Sequence, residues 1–389
     1  MKRCLLFACM TAAALGADKD FVPLFDGKSL DGWEVCNGQA GYRVEDGAIV
    51  GTTAAGSPNS FLCTKREYGD FILEFETRTD LVLNSGVQVR SHRYAEATAG
   101  HPAGRVYGYQ VEISNEKEGT SGGIYDEARR GWLHNISADS AARKAFRDNQ
   151  WNRYRIETRG DSIRTWVNGV PCADLVDPLD QAGFIGLQVH SYKGEKPAQV
   201  RWRNIRIQDL GRHQWTPLWD GRTFDGWTKA GGGVWEIAEG AIHAHSAPSD
   251  DRVGFLISDR SFDNVTARVR FRMTKGNSGF FVRADKQTLA GYEVEIDDTK
   301  GTGGLWEVGG RKWVTGPEDN AACKKDDWNE LTASVHGRRI VFHLNGVKTV
   351  DLPDDQPGRL EGHIALQVHG RRQTDLWFKD VEILVPAKN

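Results

Sequence analysis

Ile185-Gly186-Leu187-Gln188-Val189-His190 closes the first half of this chain, and Ile364-Ala365-Leu366-Gln367-Val368-His369 closes the second. In an extended strand, successive side chains point to opposite faces. Leu187 and Val189 then face one way and Gln188 and His190 the other, and the second copy divides in the same manner. The alternation predicts a half-buried β-strand. Its recurrence, with the same polar residues in the same places, predicts a duplicated domain.

The opening segments repeat as well. Pro23-Leu24-Phe25-Asp26-Gly27, followed by Asp31-Gly32-Trp33, returns as Pro217-Leu218-Trp219-Asp220-Gly221, followed by Asp225-Gly226-Trp227. The offset is 194 residues at the start (220 − 26) and 179 at the closing histidines (369 − 190), so the second copy is 15 residues shorter between these landmarks (194 − 179). A unit of this length is a whole domain, since solenoid repeats run to only a few tens of residues.

Between the landmarks strand signals dominate. Phe71–Thr77, Val87–Arg90, Tyr109–Ile113, Tyr154–Thr158 and Ile163–Val167 are short runs rich in β-branched and aromatic residues, most of them alternating. Glu45-Asp46-Gly47, Arg159-Gly160-Asp161 and Asn168-Gly169 punctuate them as turns, and Asn345-Gly346 repeats the last. No amphipathic helix of three turns is present; Asp139–Phe146 has room for a short one. The expectation is an all-β chain of two tandem β-sandwiches or jelly rolls. Their predicted extents are residues 18–210 and 211–389, joined by a short junction around Leu210–His213.

The 389 residues are 39% hydrophobic and 26% charged with a net charge of −3, which is ordinary for a globular chain. No basic stripe is present, so nucleic acid and anionic membrane are not expected partners. Lys2-Arg3, the apolar run Cys4–Leu15 and the small residues Ala14, Gly16 and Ala17 read as an export signal over residues 1–17. The run is too short to span a bilayer comfortably, so no integral membrane segment is expected. The predicted location is extracytoplasmic, either periplasmic or secreted. Cys36, Cys63, Cys172 and Cys323 lie beyond the signal, and their spacing selects no disulfide pairing. No CxxC or Cys/His cluster points to zinc, and neither a metal nor a cofactor is expected. Glu293, Glu295 and Asp297, at i, i+2 and i+4, leave a divalent cation open as the alternative to a proton-sharing acid pair.

Pleating also gathers polar residues. Gln88 and Arg90 oppose Val87 and Val89; Gln110, Glu112 and Ser114 oppose Tyr109, Val111 and Ile113. If the apolar sets fill the sandwich, Arg90, Glu112, Gln188 and His190 share an outer sheet face that curvature turns into a groove. Arg283, Glu295, Gln367 and His369 are the second-domain equivalents. The copies differ at a turn, Tyr125-Asp126-Glu127-Ala128-Arg129-Arg130 in the first, and in a longer first-copy loop carrying His92, Tyr94, His101 and Arg105. Thirteen tryptophans suit carbohydrate faces, with Trp33, Trp132, Trp227 and Trp313 beside glycine-rich turns.

Taken in order, Leu24–Trp33, Asn84-Ser85-Gly86, Gly108–Glu112, the Gly-Gly-Ile-Tyr turn ending at Tyr125, Trp151-Asn152, Val167-Asn168-Gly169, Gly186–His190 and Arg203–Ile207 resemble the 3-keto-disaccharide hydrolase family. That family is also described as 3-keto-glucoside 1,2-lyase/3-keto-2-hydroxyglucal hydratase. The resemblance covers nearly the whole chain past the signal, once per copy. It implies a concanavalin-like jelly roll in an exported protein whose partner is a glycoside or 3-keto-sugar substrate. A ketone at C3 acidifies the C2 proton, so a base can remove it and the enolate can expel the group at C1. Such chemistry needs a base, an enolate donor and an acid. On this reading His190 is the base, Arg90 with Gln188 stabilises the enolate, and Glu112 protonates the leaving oxygen or orients His190. Gln88, Tyr125, Asp126 and Arg129 hold the sugar. The alternatives from other classes are a conventional glycoside hydrolase using two carboxylates and a non-catalytic tandem carbohydrate-binding protein.

Overall fold

The computed structural model describes residues 20–98, 100–317 and 322–388; the expected export signal lies outside them. The chain divides into two compact units. Among the described residues, one runs from residue 20 to 158 and includes 164–174 and 182–210, and the other comprises 159–163, 175–181 and 211–388. Each unit is a jelly-roll sandwich of an eight-stranded and a seven-stranded antiparallel sheet. The expected short helix is a single 3₁₀ turn, Ala141–Lys144. None of the four cysteines beyond the signal is in a disulfide.

In the first unit the seven-stranded sheet runs Gly131–His134, Ile124–Glu127, Val106–Ile113, Ser85–Arg93, Phe184–Val189, Ser60–Thr64, Trp33–Cys36. In the second unit Lys312–Thr315, Leu305–Val308, Gly291–Asp297, Asn277–Ala284, Gly362–Val368, Gly254–Phe262 and Trp227–Gly231 follow the same order. The alternation of the sequence is obeyed at the centre of both sheets. Val87, Val111, Leu187 and Val189 in the first unit, and Phe280, Val294, Leu366 and Val368 in the second, are buried in the sandwich core. Burial of each such side chain contributes about 1.5–3 kcal/mol, which pins the register, because a one-residue slip would expose them all. The Asn168-Gly169 turn has φ of 50° and 82°. Positive values at both central residues suit a two-residue hairpin, and this is why Asn-Gly recurs there.

Alternation fails at one place in each unit. The pairing of Ser85–Arg93 with Val106–Ile113 shifts register between Gln88 and His92, and Arg90 sits in the bulge with φ 47°. Arg283 has φ 54° at the matching point, where the pairing of Asn277–Ala284 with Gly362–Val368 also shifts. A bulge adds a residue to one strand and re-aims the side chains around it. Both arginines therefore leave the face that period-two counting assigns them.

Candidate functional site

The outer face of the first unit's seven-stranded sheet is built in register. Gln110 stands opposite Gln88 and Glu112 opposite Gly86 on the neighbouring strand. Gln188 stands opposite Gly86 from the other side. Tyr125 lies next to Gln110, and Trp132 next to Tyr125. These polar groups oppose the core, yet Gln88, Gln110, Glu112 and Gln188 are all buried. An outer face this well covered is a hollow.

Its floor is a connected set of hydrogen bonds. Ser91 Oγ donates to Gln88 Oε1 at 2.8 Å. Gln88 Nε2 and Gln188 Nε2 each donate to Gln110 Oε1 at 2.7 Å. Gln110 Nε2 then donates to Glu112 Oε2 at 3.0 Å, and Asn84 Nδ2 donates to the other carboxyl oxygen. Gly86 makes room for this: a Cβ there would lie 2.5 Å from the Gln110 side chain. Burial raises the Glu112 pKa to about 7, outweighing the two amide bonds that favour its anion. The buried Oε1 of Gln188 has no hydrogen-bond partner among the described residues.

At the rim, His190 Nδ1 lies 2.8 Å from the Ser191 carbonyl oxygen. A carbonyl only accepts, so Nδ1 carries a proton, and in the neutral ring Nε2 is the nitrogen with the lone pair. The turn is held by Asn59, whose Oδ1 accepts the Ser191 N–H at 2.9 Å and whose Nδ2 donates to Glu127 at 3.2 Å. Arg105 pairs with the same Glu127 oxygen, and its buried Nη1 has no partner among the described residues. Trp132 is 43% exposed and meets Tyr125 edge to face, with centroids 5.4 Å apart.

The second unit repeats the plan around a cleft of about 360 Å³. Glu293, Glu295, Gln367, His369, Lys300 and Trp313 are among the residues lining it. Asn277 donates to Glu295 as Asn84 does to Glu112. His369 Nδ1 is held by the Gly370 carbonyl. Trp306 and Trp313 form the edge-to-face pair at 5.1 Å. The difference is Glu293, which takes the place of Gln110. A Cβ at Gly279 would lie 2.1 Å from it. Burial and the neighbouring Glu295 charge push the Glu293 pKa well up, and burial brings Glu295 to about 7. Asp297 behaves oppositely. Burial opposes its ionisation, but bonds from Thr299, Asn277 and the Lys300 N–H hold it down to about 2, and Arg372 pairs with it at 3.0 Å.

The structure thus brings together Gln88, Glu112, Gln188 and Tyr125 on one face with His190 at its rim, and gathers Glu295, Gln367 and His369 around one cleft. Four expected residues lie elsewhere. Arg90 is fully buried, donating to the Gly69 carbonyl at 2.7 Å and to Asp70 at 2.8 Å. Arg283 donates to the carbonyls of Arg359, Asp263 and Gly337. The bulge turns both into framework. Asp126 pairs in register with Tyr109, so it shares the inner face and binds Arg129 and Arg130 there. Arg129 accordingly lies over the Tyr107 and Tyr109 rings at 5.3 and 5.9 Å. Glu127, one residue on, takes the side toward the hollow that the sequence reading assigned to Asp126.

Reasoning from sequence also passed over Gln110, Asn84, Asn59, Glu127 and Arg105 as site residues. Asn84 is retained as Asn277, so comparison of the copies contained its signal. Asn59, Glu127 and Arg105 have Val253, Val308 and a shorter loop in their places, so that comparison is blind to them. Of the four tryptophans beside glycine-rich turns, Trp33 and Trp227 are core, whereas Trp132 and Trp313 are exposed.

The first unit is thus a jelly roll whose aromatic-rimmed outer sheet face carries a buried carboxyl and an oriented imidazole. The 3-keto-alpha-glucoside-1,2-lyase-like domain matches residues 20–208 and again 214–384, so the chain belongs to that family as two tandem copies and is a carbohydrate-active protein. No curated protein matches. Among solved structures, a provisionally assigned glycosyl hydrolase of Parabacteroides distasonis is 22% identical, covering 49% of this chain and 99% of its own at a TM-score of 0.35. The carbohydrate binding module CBM66 from Bacillus subtilis is 19% identical, covering 40% and 93% at 0.32. The Bacillus licheniformis β-glucanase is 14% identical, covering 49% and 97% at 0.32. Among the described residues, no helix is long and apolar enough to cross a membrane.

Proposed function

We propose that the first unit cleaves 3-keto-glucosides by elimination. The observations that carry this reading are a buried carboxyl whose pKa burial lifts to about 7 and, at the end of a strand of the same sheet, a histidine whose Nδ1 is committed to a carbonyl. Nε2 of His190 removes the C2 proton, and the electron pair of that bond forms the enolate on the C3 oxygen. The enolate collapses, the C1–O bond breaks, and Glu112 gives its proton to the departing oxygen. The products are an alcohol and the 3-keto-2-hydroxyglucal. Addition of water across its C1–C2 double bond, with the two protons returned, completes a net hydrolysis.

Arg105 replaces Arg90 as the cation for the enolate. It is tied through Glu127 and Asn59 to the turn that carries His190. The open acceptor of Gln188 suits a sugar hydroxyl, and Tyr125 and Trp132 suit a pyranose face. The second unit keeps the acid and the histidine, with Lys300 as the cation in its cleft. We extend the reading to it, with Glu293 altering the substrate. The export pattern of residues 1–17 supports action outside the cytoplasm.

The test is incubation of the full chain with a panel of 3-keto-glucosides and the matching unoxidised glycosides. Elimination predicts 2-hydroxyglucal-3-one or 3-ketoglucose from the keto substrates only. Glucose released from unoxidised glycosides at a similar rate would replace this reading with conventional glycoside hydrolysis. Saturable binding without any product would replace it with a binding role.

A further inference from the structure

Away from the cleft, the eight-stranded sheet of the second unit carries side chains that this chemistry does not use. His243 and His245 project from strand Ala241–Ser246, while Ile242 and Ala244 between them fill the core. Glu236, on Val234–Ala238, stands directly opposite His243. On the other side, in Thr374–Pro386, Trp377 stands opposite His243 and Asp375 opposite His245. One carboxylate oxygen of Glu236 and one ring nitrogen of each histidine lie within 4.8 Å of one another. The His243 ring is fixed in place. It stacks on Trp377 with centroids 4.2 Å apart and an 11° tilt, and its Nε2 lies 3.2 Å from Asp375 Oδ1.

The first unit has none of this. Its matching strand, Ala48–Thr52, carries Val50 and Thr52 where the histidines stand. Arg43 and Arg201 flank Val50, and Gln199 flanks Thr52. The shared fold therefore does not require these histidines, and their packing role is supplied by other residues in the sister unit.

We propose that Glu236, His243 and His245 form a binding site for one divalent first-row transition ion of the zinc type, with Asp375 orienting His243. Two imidazoles and a carboxylate are a donor set for such ions, whereas calcium and magnesium take oxygen ligands almost exclusively. Three protein ligands leave a fourth, open position for water or a fourth donor. Tetrahedral bonds of about 2.1 Å place donor atoms roughly 3.4 Å apart. Glu236 is exposed and free to swing inward by the difference, while Trp377 and Asp375 hold His243 still. A carboxylate on a ligating histidine is the recurrent second contact of such sites. Arg272, whose guanidinium lies 5.6 Å from the Trp377 ring, and Lys275, opposite Asp375 on the neighbouring strand, are nearby cations that the ion must tolerate, and two carboxylates offset them.

The experiment uses the full chain, stripped with chelator and titrated with Zn²⁺ against a chromogenic competitor, with thermal unfolding followed in parallel. The variant H243V/H245T installs what the first unit carries at the same places, so it is compatible with folding. The expected result is one tight Zn²⁺ equivalent in the parent that the double variant lacks, and a zinc-dependent rise in unfolding temperature lost with it. Asp375→Asn should weaken binding by about 10–100-fold. Equal zinc uptake by parent and double variant would overturn the assignment, as would a parent that takes up no stoichiometric zinc.

Discussion

Gln110 and Glu112 stand two residues apart on one strand, and the amide of the first donates to the carboxyl of the second at 3.0 Å. Burial nevertheless decides the carboxyl's state, holding it protonated to about pH 7. The sign of the linkage follows. The ordinary value is 4.5. Between that value and about 7 the folded chain keeps a proton that the unfolded chain has lost, so stability falls as pH rises through the window. The stabilisation is fully present below the ordinary value and gone above about 7. Glu112→Gln should abolish turnover in the first unit. It should also flatten this decline by up to ~3 kcal/mol, as measured by denaturant unfolding at pH 5 and pH 8. An unchanged pH slope would mean the carboxyl is already ionised.

The same proton sets the rate. Activity should fall as pH rises through about 7, because the general acid is then spent. His190→Ala should remove turnover in the first unit while costing less than about 1 kcal/mol of stability, since the side chain lies at the rim. A pH–rate profile of the wild type and single-turnover assays of the variant check both statements.

Arg105→Gln should lower kcat by about 10²–10³-fold, the range for losing a donor at a developing oxyanion, and should also cost stability, because the buried Glu127 loses its guanidinium partner. Steady-state kinetics decide it. A rise in KM with unchanged kcat would move Arg105 to substrate binding.

Arg90→Gln tests the framework role. It leaves Asp70 without its buried guanidinium partner and should cost about 3–5 kcal/mol. Molecules that remain folded at low temperature should turn over normally. A large loss of kcat without loss of stability would return Arg90 to the active site.

Gly86→Ala would drive a methyl to 2.5 Å from Gln110. Repacking should cost about 1–3 kcal/mol, and the displaced amide should release Glu112. Activity should therefore fall with stability, and a crystal structure of the variant would show Gln110 moved.

How far the sequence carries is visible in particular residues. Leu187, Gln188 and Val189 keep the faces that alternation assigns them because regular pleating is local physics. Arg90 and Arg283 are misplaced because a bulge depends on what a neighbouring strand presents, and no window of one strand records it. Asp126 fails in the same spirit: its face is set by pairing with Tyr109. Alternation puts Gln110 on the outer face, yet its part as the hub of the floor needs the partners Gln88 and Gln188, which are distant in sequence. Asn59, Glu127 and Arg105 are gathered from separate segments of one copy alone. The duplication, so informative elsewhere, is silent about them.

The bulged arginine has a wider consequence. Because Arg90 is committed to the scaffold, the positive charge of the proposed chemistry falls to a segment whose length differs between the two copies. Scaffold and selectivity are then inherited separately: the sandwich can be duplicated whole while the connecting segment is rewritten. Grafting that first-copy segment onto the second cleft becomes a rational route to altered substrate choice, with the arginine-anchored frame left untouched.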